Sequence, residues 1–218
     1  MQNRQVAGWA SDPIERQGAG PTAYELPAWS DTELRMLDAA AELIASLGID
    51  GLGVTALAKA AGVSRPTVYR SWPGSDEIVR ATLLRATVSL FERLGELPTT
   101  REELADGIVR FSAQFRSDPL FHCLLERQPE LFTRYSLERI GSSQRFMLHW
   151  IATAVRAAQH DGSVRQAPPD DLAVMLLLIA QSATLSHRAV SSIIGNDELD
   201  RQLRAAIDGY LRPEGGPQ

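Results

Sequence analysis

The chain has 218 residues, of which 44% are hydrophobic and 22% charged, and its net charge is -5. This composition is typical of a globular protein with a substantial core, and the single cysteine, Cys123, excludes an internal disulfide framework. The longest apolar run covers nine residues, 172–180, well short of the ~20 needed to cross a bilayer. No hydrophobic segment typical of a secretory signal follows Arg4. We therefore expect a cytoplasmic protein with no membrane partner.

The first predicted helix begins at Asp31. Residues 1–30 are rich in Gly, Pro, Gln and Ala and show no periodicity, which predicts a disordered N-terminal extension. Ser30 can then cap a helix that ends at Gly48. The apolar residues of this segment share one helical face: Leu34, Leu37, Ala41 and Ile44, with Leu47 on the flank.

A helix-turn-helix is predicted over residues 53–72. Leu57, Ala58 and Ala61 recur at helical spacing, and Gly62 interrupts the pattern, where positive φ costs glycine little. Ser64 can cap a second short helix that buries Val68. Two helices joined by so tight a turn pack at a steep angle, which leaves the second helix with one outward face.

That outward face is polar and basic. No acidic residue lies between Gly51 and Ser75, a stretch that contains three basic residues in a chain of net charge -5: Lys59, Arg65 and Arg70. A local basic surface on an acidic protein indicates a nucleic-acid contact.

The run Ala-Lys-Ala-Ala-Gly-Val-Ser-Arg-Pro-Thr-Val-Tyr-Arg-Ser-Trp-Pro, residues 58–73, resembles the DNA-binding motif of the tetracycline-repressor (TetR) family of bacterial transcription regulators. The resemblance extends over residues 31–93, whereas the rest of the chain resembles the family only in length and helical content. Its sharpest marks are Ala58, the turn at Gly62, Tyr69 and Trp72. Two positions depart from the family pattern: Gly53, where a Ser or Thr cap is usual, and Ser75, where a phosphate-binding Lys is usual.

Individual roles follow for the reading helix. Arg65 is the expected base reader, since arginine can bond guanine O6 and N7 together. Thr67 is expected at a thymine methyl or a phosphate, and the resemblance implies that Tyr69 contacts a phosphate. As alternatives, Lys59 is a solvated surface charge, and Pro66 and Tyr69 only support the helix. The predicted DNA-binding set is Thr55, Lys59, Ser64, Arg65, Pro66, Thr67, Tyr69 and Arg70.

The remaining elements are also predicted to be helices, and no strand shows convincing alternation. A fourth helix begins at Ser75 and ends near Gly95, and Thr100 caps the next one. The sequence therefore predicts an all-α protein of about nine helices. A three-helix DNA-binding domain over residues 31–95 precedes a helical domain for effector binding and dimerisation over residues 98–212.

Aromatic residues are concentrated in the predicted second domain, where seven of the fourteen in the chain lie between Phe111 and Trp150. Polar residues are interleaved with them, which is typical of a pocket for a mostly apolar ligand. The alternative is that these rings fill a helical core. The resemblance implies an effector site here, with the predicted ligand-binding set Phe111, Phe115, His122, Phe132, Phe146 and Trp150.

The last two helices are the predicted dimer interface. The helix from Asp170 to about Ala189 is apolar nearly all round over residues 172–180, so it needs cover on more than one side. It can pair with the last helix across a twofold axis, as in dimers of the resembled family, or it can be the buried centre of a monomer. A twofold dimer implies a palindromic operator.

The function that these features favour is a ligand-responsive, DNA-binding transcription regulator. A repressor is favoured over an activator, because a dimer of this size can act by covering a promoter. The alternative is a helix-turn-helix protein without an effector, for DNA compaction or protein contact. An enzyme is disfavoured, because His122 and Cys123 would point ~100° apart on a helix. The sequence contains no phosphate-binding loop or metal-ligand spacing. We therefore expect no catalytic residue, metal or cofactor.

Overall fold

The computed structural model describes residues 24–130 and 140–213, and these residues form nine α-helices and no strand. The all-α prediction with about nine helices is confirmed. The predicted disorder of residues 1–23 lies outside the described residues. The helices are α1 (Asp31–Leu47), α2 (Val54–Ala60), α3 (Arg65–Ser71), α4 (Ser75–Glu92), α5 (Arg101–Ser117), α6 (Pro119–Arg127), α7 (Ser142–His160), α8 (Pro169–Val190) and α9 (Asn196–Leu211), with a 3-10 turn at Ile49–Gly51 after α1.

Both ends of α1 follow from local sequence. The Ser30 hydroxyl accepts a hydrogen bond from the Glu33 backbone N–H at 3.3 Å, and the Glu33 carboxylate accepts one from the Ser30 N–H at 2.9 Å, forming a capping box. Gly48 ends the helix at φ 79°. The buried face is turned from the predicted one, because α1 packs against both α2 and α6. Its buried residues are Met36, Leu37, Ala40 and Ile44, whereas Leu47 is exposed.

The described chain divides into two compact units. One contains residues 26–90, with α1 to α3 and most of α4, together with residues 115–130 and 140–144. The other contains residues 24–25, 91–114 and 145–213. The unit boundaries fall within α4, α5 and α7. The predicted linear division into residues 31–95 and 98–212 stays a prediction.

In the second unit, α5 and α9 are joined by charged side chains. Arg101 Nη1 lies 3.1 Å from Asp208 Oδ2, and both side chains are mostly buried. Arg204 and Asp106 form a second, more exposed pair. The apolar core beneath these pairs is contributed by all the helices of the unit, including Leu104, Ala154, Leu172, Leu176, Leu203 and Ile207. These pairs thus add charged contacts between α5 and α9 to the apolar packing of the unit.

One side of α8 is covered within the protomer and another is not. Leu172, Leu176 and Ala180 are buried, whereas Val174, Met175 and Leu178 are exposed. By length and composition alone α8 could cross a membrane, but a single such helix is weak evidence because core helices of soluble proteins share those properties. Its cover within the protomer is unequal and leaves one apolar face exposed.

Candidate nucleic-acid interface

The turn between α2 and α3 depends on Gly62. Its φ is 65°, and the backbone N–H of Val63 donates to the Ala58 carbonyl at 2.9 Å, which closes the end of α2. A Cβ on Gly62 would meet nothing within 4 Å, so the requirement for glycine comes from backbone conformation and not from space.

The two helices of the motif share a small apolar core. Leu57 and Val68 are fully buried, and Ala58 and Trp72 are nearly so. Ala61 and Val63, on either side of the turn, are half-buried. Trp72 follows the last residue of α3, and its backbone N–H donates to the Val68 carbonyl, so the ring is held at the C-terminal end of the reading helix.

The first turn of α3 is organised by Ser64. Its hydroxyl accepts a hydrogen bond from the Thr67 backbone N–H at 3.3 Å and lies 2.9 Å from the Thr67 hydroxyl. Pro66 occupies the first turn, where the missing N–H of proline costs no helical bond. Ser64 therefore helps to set the direction of the reading helix, in addition to its predicted role in DNA binding.

Most of the predicted DNA-binding side chains lie on the surface of this motif. Tyr69 is 57% exposed, and Thr67 is half-buried, with its hydroxyl 2.9 Å from the Ser64 hydroxyl. The other members are exposed: Thr55 and Lys59 on α2, Ser64 at the cap, and Arg65, Pro66 and Arg70 on α3. The structure thus places the predicted set on two adjacent helices, and its role in DNA binding stays a prediction.

One acidic residue near this surface was missed by the sequence argument. The pKa of Glu33 on α1 is lowered, first by the hydrogen bond from the Ser30 backbone and then by others that include the Ser71 hydroxyl and the charge of Arg70. No acid lies near Arg70 in the sequence, and only the packing of α1 against the motif brings this carboxylate to the end of α3. Ser30, three residues before Glu33, predicts that Glu33 takes part in the helix cap, but nothing nearby in the sequence predicts the contact of Glu33 with α3.

The predicted ligand-binding residues fall into different places. Phe111 and Trp150 surround a residue that was not predicted, Phe91 of α4, with ring centroids 4.5 and 4.8 Å away. Phe146 is 5.2 Å from the same ring. We call Phe91, Phe111, Phe146 and Trp150 the Phe91 cluster. Phe91 was missed because it lies in the predicted fourth helix, within residues 31–95, and outside the aromatic-rich stretch, and no local signal marks it.

The other predicted ligand residues lie elsewhere. Phe115 stacks on Phe121 at 4.1 Å within the unit that contains the motif. His122 is exposed on α6, with its Nε2 3.3 Å from a Glu126 carboxylate oxygen. Phe132 lies outside the described residues. No cluster of His, Cys, Asp or Glu suited to a metal ion occurs among the residues that the structure describes.

Two short helices joined at the Gly62 turn, with exposed polar and basic side chains on the second, are the arrangement of a helix-turn-helix DNA-binding protein. The family model described as bacterial regulatory proteins, tetR family, matches residues 36–82. Together with the relatives described next, this match shows that the chain belongs to the TetR family of transcriptional regulators.

Two curated relatives match over most of the chain. The uncharacterized HTH-type transcriptional regulator Rv2250c of Mycobacterium tuberculosis is 38% identical over 185 residues, covering 84% of this chain and 95% of the relative. The HTH-type transcriptional regulator EthR of the same organism is 34% identical, covering 80% and 81%. Among solved structures, a transcriptional regulator from Saccharomonospora viridis in complex with choline has 20% identity and a TM-score of 0.58, covering 84% of this chain and 99% of that one. That similarity shows the shared fold.

Proposed function

We propose that this TetR-family regulator binds a palindromic operator as a homodimer, acts as a repressor and is released by a small, mostly apolar effector. The observation that carries the DNA-binding part is the exposed face of α3, with Arg65, Tyr69 and Arg70 directed away from a buried Val68. The proposal describes a regulator in the cytoplasm and not an enzyme.

The charge of the motif supports DNA binding. Residues 51–75 contain three basic and no acidic side chains, although the whole chain has a net charge of -5. Cationic side chains on the motif attract the phosphate backbone regardless of sequence, and Arg65 at the start of α3 can add base readout in the major groove. The arrangement thus offers both positioning and specifying contacts.

The exposed apolar face of α8 supports pairing of two protomers. Val174, Met175 and Leu178 lie on adjacent turns, and Leu178 is 53% exposed. On α9, which packs against α8, the exposed residues include the small Ala205, Ala206 and Gly209. Small residues allow close approach of a second helix pair, and burying the apolar row stabilises the association. The two reading helices of such a dimer would reach major grooves ~34 Å apart or a multiple of that.

The Phe91 cluster supports an effector site in the second unit. Three elements contribute rings to it, α4, α5 and α7, and Gly107 of α5 is close to the cluster, since a Cβ there would lie 3.4 Å from Trp150. A mostly aromatic lining suits a mostly apolar ligand. The structural relative from Saccharomonospora viridis binds choline, so the fold accommodates a small molecule in that protein.

The test is an operator titration. Fluorescence anisotropy with the DNA upstream of the protein's own gene should show saturable binding that survives competition by unrelated DNA, and footprinting should show two half-sites related by a twofold axis. Arg65→Ala should weaken operator binding. Arg145→Ala removes the same charge from an exposed position on α7, in the other unit, and should leave operator binding unchanged. Binding that depends only on salt, with no preferred sequence, would favour the alternative of a DNA-compacting protein.

A further inference from the structure

α6 is joined to the end of α1 by polar side chains, within the compact unit that contains the motif. The side chain of Gln128, directly after α6, accepts a hydrogen bond from the Ile49 backbone N–H at 2.6 Å and donates one to the Asp50 carboxylate at 2.9 Å. Arg127 Nη1 donates to the Ser46 carbonyl at 3.2 Å. We call the two bonds of the Gln128 amide the Gln128 bridge.

The turn at this point is shaped to receive the amide. Gly48 has φ 79°, and a Cβ built on it would lie 2.8 Å from Gln128 Oε1. The buried thiol of Cys123 on α6 lies 3.4 Å from the Ile44 carbonyl oxygen, one turn earlier on α1. Glycine is therefore required at residue 48 both for its backbone conformation and for the approach of Gln128.

The bridged turn leads directly into the DNA-binding motif. Leu52, which follows the 3-10 turn, is buried, and Gly53 then caps α2 without any side-chain hydrogen bond. The start of α2 thus lacks a side-chain cap of its own, and its place depends on the turn before it. Because α2 packs against α3, a displacement of Ile49 and Asp50 would also change the direction of the reading helix.

We infer that Gln128 is a positioning residue for DNA binding, whose amide holds the turn between α1 and α2 through Ile49 and Asp50. This inference rests on the proposed DNA-binding function, and Gln128 acts in it without touching DNA. Residue 128 belongs to the part of the sequence that we predicted for effector binding and dimerisation. The bridge is therefore a point where the later half of the chain supports the reading unit.

Exchange of donor and acceptor tests the bridge. Gln128→Glu keeps an acceptor for the Ile49 N–H but places a carboxylate against Asp50, and we expect operator affinity to fall about three- to tenfold. Asp50→Asn alone should bind like the wild type, since the asparagine oxygen can still accept from Gln128. In the double variant Gln128→Glu/Asp50→Asn the new asparagine amide can donate to the new carboxylate, so the hydrogen bond re-forms in the opposite direction. This variant should regain most of the affinity.

The matched control is Gln128→Glu/Glu130→Gln. Glu130 is exposed two residues away, so this variant has the same net charge as the first double variant. It keeps the carboxylate of Asp50 opposite the introduced carboxylate and supplies no side-chain donor at residue 50, and it should stay weak. Amide hydrogen exchange of Ile49, measured by NMR without DNA, should be faster in Gln128→Glu and in Gln128→Ala and slower again in the Asp50→Asn double variant.

Equal operator affinity in the wild type, Gln128→Ala and Gln128→Glu would overturn the inference. Equal recovery in both double variants would overturn it too, because charge alone would then explain the loss. A wild-type protein that binds no DNA sequence specifically would overturn the proposed function and this role together, whereas specific wild-type binding with unchanged variants would overturn this role alone.

Discussion

Two exposed helix faces of the molecule differ in chemistry. α3 presents Arg65, Tyr69 and Arg70 to solvent, whereas α8 presents Val174, Met175 and Leu178. Charged side chains are stable when solvated, whereas burying an exposed apolar row lowers the free energy. This difference in chemistry supports the proposal of a charged partner at the α3 face and an apolar partner at the α8 face.

The largest expected effect comes from a charge on the apolar face. Leu178→Glu would place a carboxylate in the proposed interface, where desolvating it is costly. We expect protomers in sedimentation equilibrium and operator affinity lower by more than about 100-fold, because the two reading helices no longer bind together. Gln166→Glu adds the same charge at an exposed position outside α8 and should leave both measurements unchanged. A dimer that persists in Leu178→Glu would contradict the interface.

Removal of one charged group from the α3 face should have the next effect. Arg65→Ala is expected to lower operator binding by ~1–3 kcal/mol and to relax the preference at one base pair. Tyr69→Phe should weaken binding on all sequences alike, because its expected partner is a phosphate. Operator titrations against single-base variants distinguish these patterns, and an unchanged preference in Arg65→Ala would exclude base readout by this residue.

The turn that sets the α3 face can be strained without any steric clash. Gly62→Ala should destabilise the fold by about 1 kcal/mol, since φ 65° is unfavourable for alanine while its Cβ meets nothing within 4 Å. Gly62→Asn is the matched comparison at the same residue: asparagine adopts this left-handed backbone more readily than alanine, so it should lose less stability. Urea unfolding measures both, and equal losses would argue against a backbone cause.

Lowering the pH should remove a smaller contribution to stability, which comes from the Glu33 carboxylate near the end of α3. Because the pKa of Glu33 is lowered in the folded state, its stabilisation is present above the unfolded value of about 4.5 and is lost as pH falls through the lower folded value. Glu33→Gln should therefore cost less than about 1 kcal/mol at pH 7, given the exposure of the carboxylate. The difference from the wild type should vanish well below pH 4.5. A difference in urea unfolding that does not change with pH would exclude this charge effect.

The smallest expected effect is an increase in stability. Gly53→Ser supplies the side-chain cap that α2 lacks, and the extended backbone of residue 53 leaves space for a Cβ. We expect a few tenths of a kcal/mol of added stability, with operator affinity unchanged or slightly higher. Thermal unfolding of Gly53→Ser and of Gly53→Ala is compared, because both changes reduce the freedom of the unfolded backbone but only serine supplies a cap. Equal stability of the two variants would exclude a contribution from the cap.

The reading unit could be predicted in detail because its determinants are adjacent in sequence. The conformation of Gly62, the cap at Ser64 and the burial of Val68 each depend on a few neighbouring residues. The family resemblance rests on the same short stretch. Local chemistry of this kind is visible to a reading of periodicity and turn residues.

The rest of the molecule depends on contacts between distant residues. Gln128 bonds to Ile49, 79 residues earlier, and no pattern near either residue indicates the other. Phe91 and Glu33 were missed for the same reason, since the helices that approach them come from other parts of the chain. The aromatic composition predicted rings near one another but could not divide them between the Phe91 cluster and the Phe115–Phe121 stack.

The uncovered row on α8 also has a consequence for dosage. If two protomers must associate before either reading helix is held firmly, promoter occupancy at low abundance rises with the square of the number of molecules per cell. Small changes in synthesis would then switch the controlled genes over a narrow range, and the melting temperature of the purified protein would fall on dilution.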